Sequence, residues 1–435
     1  MTPPVDATKP VNSASGTGSA PGAAKPRPRT SSRSVAALRF DVCWQSDAAH
    51  HTDSLFLPQV DLWRNDLPRP VQQAVMNKSA GYGATISFAP GQLVADRLPG
   101  RLLKLRADQF NRRFLGRGPL EPRRGRFYPK AILTTAYEVR GADRTPIRVV
   151  AADKNGFTAD LSHALAGKDL EITVTVDAIA DSDRRRDGPN MQIRSRLIDL
   201  GPGMQGRWQG QPTDFFADDP FTRLDDDDPG FYERARLVDH LDTTAIAEIS
   251  ALYGRLIRPR SRILDLMSSW HSHLPQASRP DAVVGLGMNA EELARNPILT
   301  ERVVHDMNAD PRLPFDDASF DAVICTVSVE YLTQPFAVFR EMARVLAPAG
   351  IAVMTFSNRW FPTKVIRIWD QVHEFERPGL VLEYFRESGR FRDFNTWSLR
   401  GLPRPAEDKY AHRLDQSDPV HAVWARRDGE PRVRL

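Results

Sequence analysis

The sequence has only two cysteines in 435 residues, Cys43 and Cys325. They stand far apart, with no further Cys or His at metal-ligand spacing, so a disulfide framework and a structural zinc site are both excluded and no metal is expected. Cysteine poverty of this kind fits a reducing compartment. Also missing is any apolar run of the roughly 18 residues that cross a bilayer. The N-terminus lacks the basic-then-apolar order of a secretory signal. A cytoplasmic location and no membrane partner are therefore expected. Charge of one sign is scarce too: the formal net charge is +4. Much of it sits in the tail before Val35, where Lys9, Lys25, Arg27, Arg29 and Arg33 face Asp6 alone. The remainder is close to neutral, which disfavours a nucleic-acid partner bound across a whole domain face. The run Arg184-Arg185-Arg186 reads as a solvated linker. There is no internal repeat.

What is present divides the chain. Its length suits two domains, and 34 prolines point to extended segments between them. Residues 1–36 carry Pro, Ser, Gly, Ala and Thr without any period and are expected to be a disordered tail. That acid-poor composition also overlaps that of organellar transit peptides. Residues 37–180 show short alternating segments, among them 38–42, 84–88 and 170–176, and read as a mainly β domain. Pro68-Arg69-Pro70 opens one short helix there. Residues 181–230, rich in Asp, Arg, Pro and Gly with four acids at 225–228, read as a linker or docking arm. Its aromatics Trp208, Phe215, Phe216 and Phe221 imply that part of it lies on a folded surface. From 231 to 427 helical and strand patterns alternate, and 428–435 form a C-terminal tail. Strands are expected at 262–266, 282–286, 302–305, 320–325 and 351–356. Helices are expected at 237–256 and 335–346, the second with Thr333 as N-cap and Gly350 as stop. Such alternation implies a parallel sheet covered on both faces.

In an open parallel sheet, ligands bind beyond the carboxyl ends of the strands. The residues there are Asp265 to Pro275 after the first strand, Gly287 to Leu293 after the second, and His305 to Asp310 after the third. Leu313-Pro314-Phe315, then Ser319-Phe320-Asp321, lead into the fourth. Together with Glu341-Met342-Ala343-Arg344-Val345-Leu346-Ala347-Pro348-Ala349-Gly350, this order resembles the type 11 branch of class I methyltransferases. The resemblance implies an α/β Rossmann-like domain with a mostly parallel sheet and S-adenosyl-L-methionine as cofactor. It places cofactor contacts at Asp265, Met267, Ser268 and Ser269, at Gly287, Met288 and Asn289, at Asp306, Met307 and Asn308, and at Thr326. Two departures stand out. Met267-Ser268-Ser269-Trp270 replaces the usual glycine-rich loop, and Gly287 replaces the acid that binds the ribose, with Asn289 or Glu291 as substitutes. No catalytic base is assigned; His271, His273, Glu330 and Tyr331 are near the crevice and each also suits a packing role. Residues 358–364, with Trp369 and Tyr384, are read either as an acceptor pocket or as core.

In the first half, Ser162 to Leu170 running into an alternating strand, Leu67-Pro68 before a helix, Gly81-Tyr82-Gly83, and Arg126-Phe127-Tyr128-Pro129-Lys130 resemble FKBP-type prolyl isomerases of the SlyD branch. The resemblance implies an FKBP-like domain with a peptide pocket walled by Trp63, Phe88, Phe127 and Ile172. Ile172 replaces a usual Phe, and Ala89-Pro90-Gly91 a usual Ala-Tyr-Gly, so peptide binding or scaffolding is expected at least as much as isomerisation. The combined expectation is a two-domain methyltransferase with an unidentified methyl acceptor, a protein being one candidate. Its rivals are a non-catalytic chaperone or scaffold with a degenerate methyltransferase fold, and an RNA methyltransferase anchored by the basic tail.

Overall fold

The computed structural model describes residues 28–47, 49–114, 119–134, 143–180 and 191–429. Most of the 1–36 tail, the Arg184-Arg185-Arg186 run and most of the 428–435 tail lie outside the described residues.

The chain begins with a long hairpin, β1 (Val35–Ser46) and β2 (Ala49–Asp61). Alternate residues Ala36, Leu38, Phe40, Val42 and Trp44 of β1 point into one core, as period-two burial requires. A short helix α1 (Arg69–Val75) follows, opened by proline at its first turn, then β3 (Gly83–Phe88). Four strands, β4 (Leu102–Arg106), β5 (Phe127–Pro129), β6 (Pro146–Ala152) and β7 (Gly156–Asp160), are inserted before β8 (Leu170–Ala180) and form their own antiparallel sheet, ordered β4-β7-β6-β5. That sheet has its own core around Phe110, Tyr128, Ile147 and Phe157.

After residue 190 the chain does not hang free as a linker. A π-helical turn at Ser195–Asp199, with Ile193 beside it, buries Leu197 and Ile198 in the first core. A short helix α2 (Asp228–Tyr232) precedes α3 (Thr243–Leu256), capped by Asp242, whose Oδ1 accepts from Ala245 N at 3.1 Å. The helix expected at 237–256 therefore starts six residues late, and residues 237–241 are irregular, with bends at 238, 240 and 241. Then come β9 (Arg262–Leu266), β10 (Ala282–Gly287), α4 (Ala290–Arg295), β11 (Glu301–Val304), β12 (Phe320–Thr326), α5 (Pro335–Val345), β13 (Leu346–Phe356), α6 (Arg367–Gln371), α7 (Arg377–Ser388), β14 (Phe391–Arg400) and β15 (Val420–Arg427). α5 lacks a side-chain cap because Thr333 donates to Asn308 instead, and it ends at Val345 because Leu346 already begins β13.

The main departure from the expected layout is the sheet itself. Its order is β11-β10-β9-β12-β13-β15-β14-β2-β1-β8-β3, eleven strands without a break. β9 to β13 are parallel, β15 runs antiparallel between β13 and β14, and β14 then pairs in parallel with β2 from Phe394↔Ala49 to Arg400↔Leu55. The two halves are thus joined through backbone hydrogen bonds, each closing what would otherwise be an open edge of the other. The polar residues of β2 meet polar residues of β14 there: His51 Nδ1 lies 2.7 Å from Thr396 Oγ1, and Ser398 Oγ donates to Asp53 Oδ1 at 2.8 Å.

Candidate functional site: the crevice at the strand ends

The strand order reverses between β9 and β12, and a cavity of about 680 Å³ opens beyond their carboxyl ends. Asp265, the fourth residue of β9, lines it and is 2% exposed. Ser268 Oγ donates to its Oδ2 at 2.6 Å. Burial pushes the Asp265 carboxyl up to about 6, against hydrogen bonds from Ser268 and Ser272 that favour the anion. A carboxylate held this way gains from a cation delivered by a ligand.

The two sequence departures turn out to be one device. Met267 adopts a left-handed backbone (φ 56°), the conformation that glycine usually supplies at such a turn. The turn carries Ser268 directly over β10, with Ser268 N donating to Leu286 O at 2.8 Å. A Cβ on Gly287 would lie 2.2 Å from Ser268 O. Glycine stands where an acid is usual because the preceding loop fills the space any side chain would need. The loop is pinned rather than loose: Ser269 Oγ donates to Glu292 Oε2 at 2.7 Å, and Asn296 Nδ2 donates to Ser269 O at 2.9 Å. Trp270 stacks on His271 with centroids 3.7 Å apart, and His271 Nδ1 sits 2.9 Å from Asp239 Oδ1.

Of the expected substitutes for the ribose acid, neither is available. Asn289 is committed to capping α4 and to Tyr232 O and Glu233 O, while Glu291 is exposed and pairs with Arg295. Asp306 is the carboxylate left at the third strand end. Its Oδ1 accepts from Asn308 N and Ala309 N, and no described side chain claims Oδ2. Met288 and Met307 line the crevice beside it. Asn308 lines it too, but its amide ties Asp228 Oδ2 (3.0 Å), Tyr331 O and Thr333 together. After β12, Thr326 Oγ1 meets Tyr253 OH at 2.6 Å, and Val327 takes φ 50°, a costly conformation for a β-branched residue.

His271, His273 and Tyr331 line the crevice as expected; Glu330 does not. It is fully buried, neither carboxylate oxygen has a hydrogen-bond partner among the described residues, and burial pushes its carboxyl up to about 8. Burial lowers His273 to about 4, with Asp239 opposing, so its imidazole is neutral at physiological pH. Asn358 to Pro362 form one wall, whereas Trp369 and Tyr384 are fully buried core residues and contribute nothing to a pocket. The four residues expected to wall a peptide pocket are not gathered. Phe88 and Ile172 pack in the first core, Phe127 joins Met204 and Phe375 at the junction, and Trp63 is 65% exposed.

Sequence reasoning missed the roof. Asp228, Tyr232, Arg236 and residues 238–241, from the segment before α3, line the crevice, as do Lys409 and Tyr410. The acidic run of the segment expected to be a linker or docking arm fastens these residues. Asp228 binds Arg223 at 2.9 Å and Lys364 Nζ at 3.1 Å, and Asp225 takes Lys364 at 3.1 Å. Asp227 Oδ1 caps α2 through Gly230 N. Arg223 sits beside the acids in sequence, whereas Lys364 reaches them only after folding and gave no local signal.

The methyltransferase domain family matches residues 270–354. Among curated proteins, the malonyl-[acyl-carrier protein] O-methyltransferase of Marinomonas sp. (strain MWYL1) is 24% identical over 127 residues, 26% of this chain and 46% of that protein. The chain thus spans about half the length of that relative. Similar solved structures include an S-adenosylmethionine-dependent methyltransferase from Mesorhizobium loti (20% identity, 42% of this chain and 98% of that one, TM-score 0.30). Another is the [4+2]-cyclase SpnF (16% identity, 45% and 89%, TM-score 0.32). Among the described residues no helix is long and apolar enough to cross a membrane. Residues 270–354, which carry much of the crevice lining, match the methyltransferase domain family, and this match supports S-adenosylmethionine as the cofactor.

Proposed function

We propose that this protein is an S-adenosylmethionine-dependent methyltransferase whose FKBP-like first half serves binding rather than chemistry. The observation that carries the reading is Asp265, a buried carboxylate at the topological switch point whose fixed donors are serines of the following loop. When bound, the cofactor supplies a methyl group on a sulfonium. The chain's own residues do the rest. Asp265 accepts the ligand's ammonium, and the Met267-Ser268 turn brings backbone against it. Asp306 offers a free carboxylate oxygen to the ribose hydroxyls, and the roof excludes water. His273 lines the crevice wall, with the His271–Asp239 pair beside it. The pinning of residues 267–269 against Gly287 favours a built site over a degenerate one.

Support for the FKBP-like reading of the first half comes from the order hairpin, short helix, strand, inserted sheet, final strand. The loss of a shared aromatic pocket favours a binding role over isomerisation. Calorimetric titration with S-adenosylmethionine and S-adenosylhomocysteine tests the central reading. Micromolar binding that Asp265→Ala weakens at least tenfold is expected; absence of heat with the folded protein would mean a scaffold instead.

A further inference from the structure

A second cavity, of about 780 Å³, adjoins the crevice, and the two share Trp360 and Pro362 as a common wall. Three separated stretches build it: residues 119–128 of the inserted sheet, 214–224 of the arm, and 360–371 after β13. Tyr128, Phe215, Trp360, Val365 and Ile368 give its lining an apolar, partly aromatic component beside charged residues. Leu224 lines it while remaining 84% exposed, an apolar side chain left in water at the edge of an apolar hollow.

The charged residues of this cavity are mostly neutralised. Arg123 pairs with Asp214 and Asp218, Arg126 with Glu376, Arg223 with Asp228, and Glu121 with Arg112; Asp370 is engaged as well. Arg367 is different. It is exposed, lines the cavity, and has no ion pair among the described residues.

Trp360 is fixed between the two cavities. The Arg377 guanidinium lies 4.4 Å from its ring centroid and 5.7 Å from that of Trp369. The inserted sheet is tied to the C-terminal half where Phe127 N donates to the buried Glu376 Oε1 at 2.8 Å and Arg126 pairs with the same carboxylate, so the second cavity is a preformed space. A volume of about 680 Å³ suits one ligand of nucleoside size with a small reacting group. The body of a larger acceptor needs space elsewhere, and the adjoining hollow supplies it.

We propose that the second cavity holds the body of the methyl acceptor, an elongated apolar molecule with an anionic end at Arg367, whose nucleophile reaches the crevice past Trp360. The proposal rests on the methyltransferase reading for the word acceptor, but the binding site itself does not. It also moves recognition away from the first half's own core, where Phe88 and Ile172 leave no pocket, to the junction that the first half helps to build.

The test uses the full-length protein and dodecanoate as probe, followed by calorimetry, with dodecanol as the neutral comparison. The wild type should bind one dodecanoate per chain. Ala217→Trp, which fills the cavity from the arm, should weaken binding at least tenfold, and Arg367→Gln should weaken dodecanoate roughly tenfold while leaving dodecanol unchanged. Thermal melts establish that both variants fold, and S-adenosylmethionine titrations of both should match wild type. Absence of dodecanoate binding, or binding indifferent to Ala217→Trp, would overturn the proposal. So would capture of an unfolded polypeptide probe, reduced carboxymethylated α-lactalbumin, that Ala217→Trp abolishes when dodecanoate does not bind. Failure of the methyltransferase reading shows separately, as loss of the cofactor's heat with dodecanoate binding intact.

Discussion

Two buried aspartates, Asp53 where the halves join and Asp265 in the crevice, differ in where their donors come from. Asp53 receives Trp44 Nε1 at 3.0 Å from β1, Gln205 Nε2 at 3.1 Å from the arm, and Ser398 Oγ at 2.8 Å from β14. Burial raises its pKa, and these bonds together with the Arg400 charge pull it back. Asp265 has only Ser268 and Ser272, both from the loop that follows its own strand. Donors from three distant segments make a carboxylate a fastener, since satisfying it requires all three segments in place. Donors from one local loop, with a cavity on the other side, leave it free to meet a ligand. Equal burial of the two residues, each about 1–2% exposed, therefore hides opposite roles.

The sharpest way to break this contrast is Asp53→Ala. It strips three buried donors of their acceptor, and a loss of about 3–5 kcal/mol in urea unfolding is expected. Cofactor titration of the folded fraction should be unchanged. A loss below about 1 kcal/mol would mean that the strand pairing, not the carboxylate, fastens the halves. Next in size is Gly287→Ala. Its Cβ would meet Ser268 O at 2.2 Å, so the 267–269 turn must move. Destabilisation of about 1–3 kcal/mol and an approximately tenfold or greater loss of cofactor affinity are expected. Gly287→Asp, which restores the residue usual in the family, should do worse, not better. Improved affinity in that variant would sink the view that loop and glycine are one device.

The parallel strands were legible because each is a short apolar run between helix patterns, and β9 lies where expected, at Arg262–Leu266. The strand-end residues followed from topology, so the crevice lining was legible with them. The β2–β14 pairing was not. β2 carries His50, His51, Thr52, Asp53 and Ser54, which locally resembles a solvent-facing edge, and the facing polar residues of β14, more than 340 positions later, help to make burial tolerable. The roof escaped for the same reason: Asp228 is one of four consecutive acids in a segment that reads as a linker or docking arm until Lys364, Arg223 and Asn308 converge on it. Trp369 and Tyr384 were ambiguous because an aromatic near a crevice and one beneath it have the same local pattern.

The smallest expected effect separates the two aspartates by proton count. The folded value of Asp265, about 6, lies above the ordinary 3.8. Its contribution therefore favours the fold below about pH 4 and is lost as pH rises through about 6. A bound ammonium reverses the balance by stabilising the anion, so cofactor binding should expel a proton. Calorimetry in buffers of different ionisation heat should report about half a proton released at pH 6 and almost none from this group at pH 8, with affinity falling up to tenfold per pH unit below 6. His273 stays neutral throughout, being held near 4. Glu330, pushed up to about 8 by burial, titrates at the upper end of this range, and Glu330→Gln separates it. Asp265→Asn should abolish the release at pH 6. If release persists in that variant, the ammonium is held elsewhere and Asp265, like Asp53, only ties the structure together.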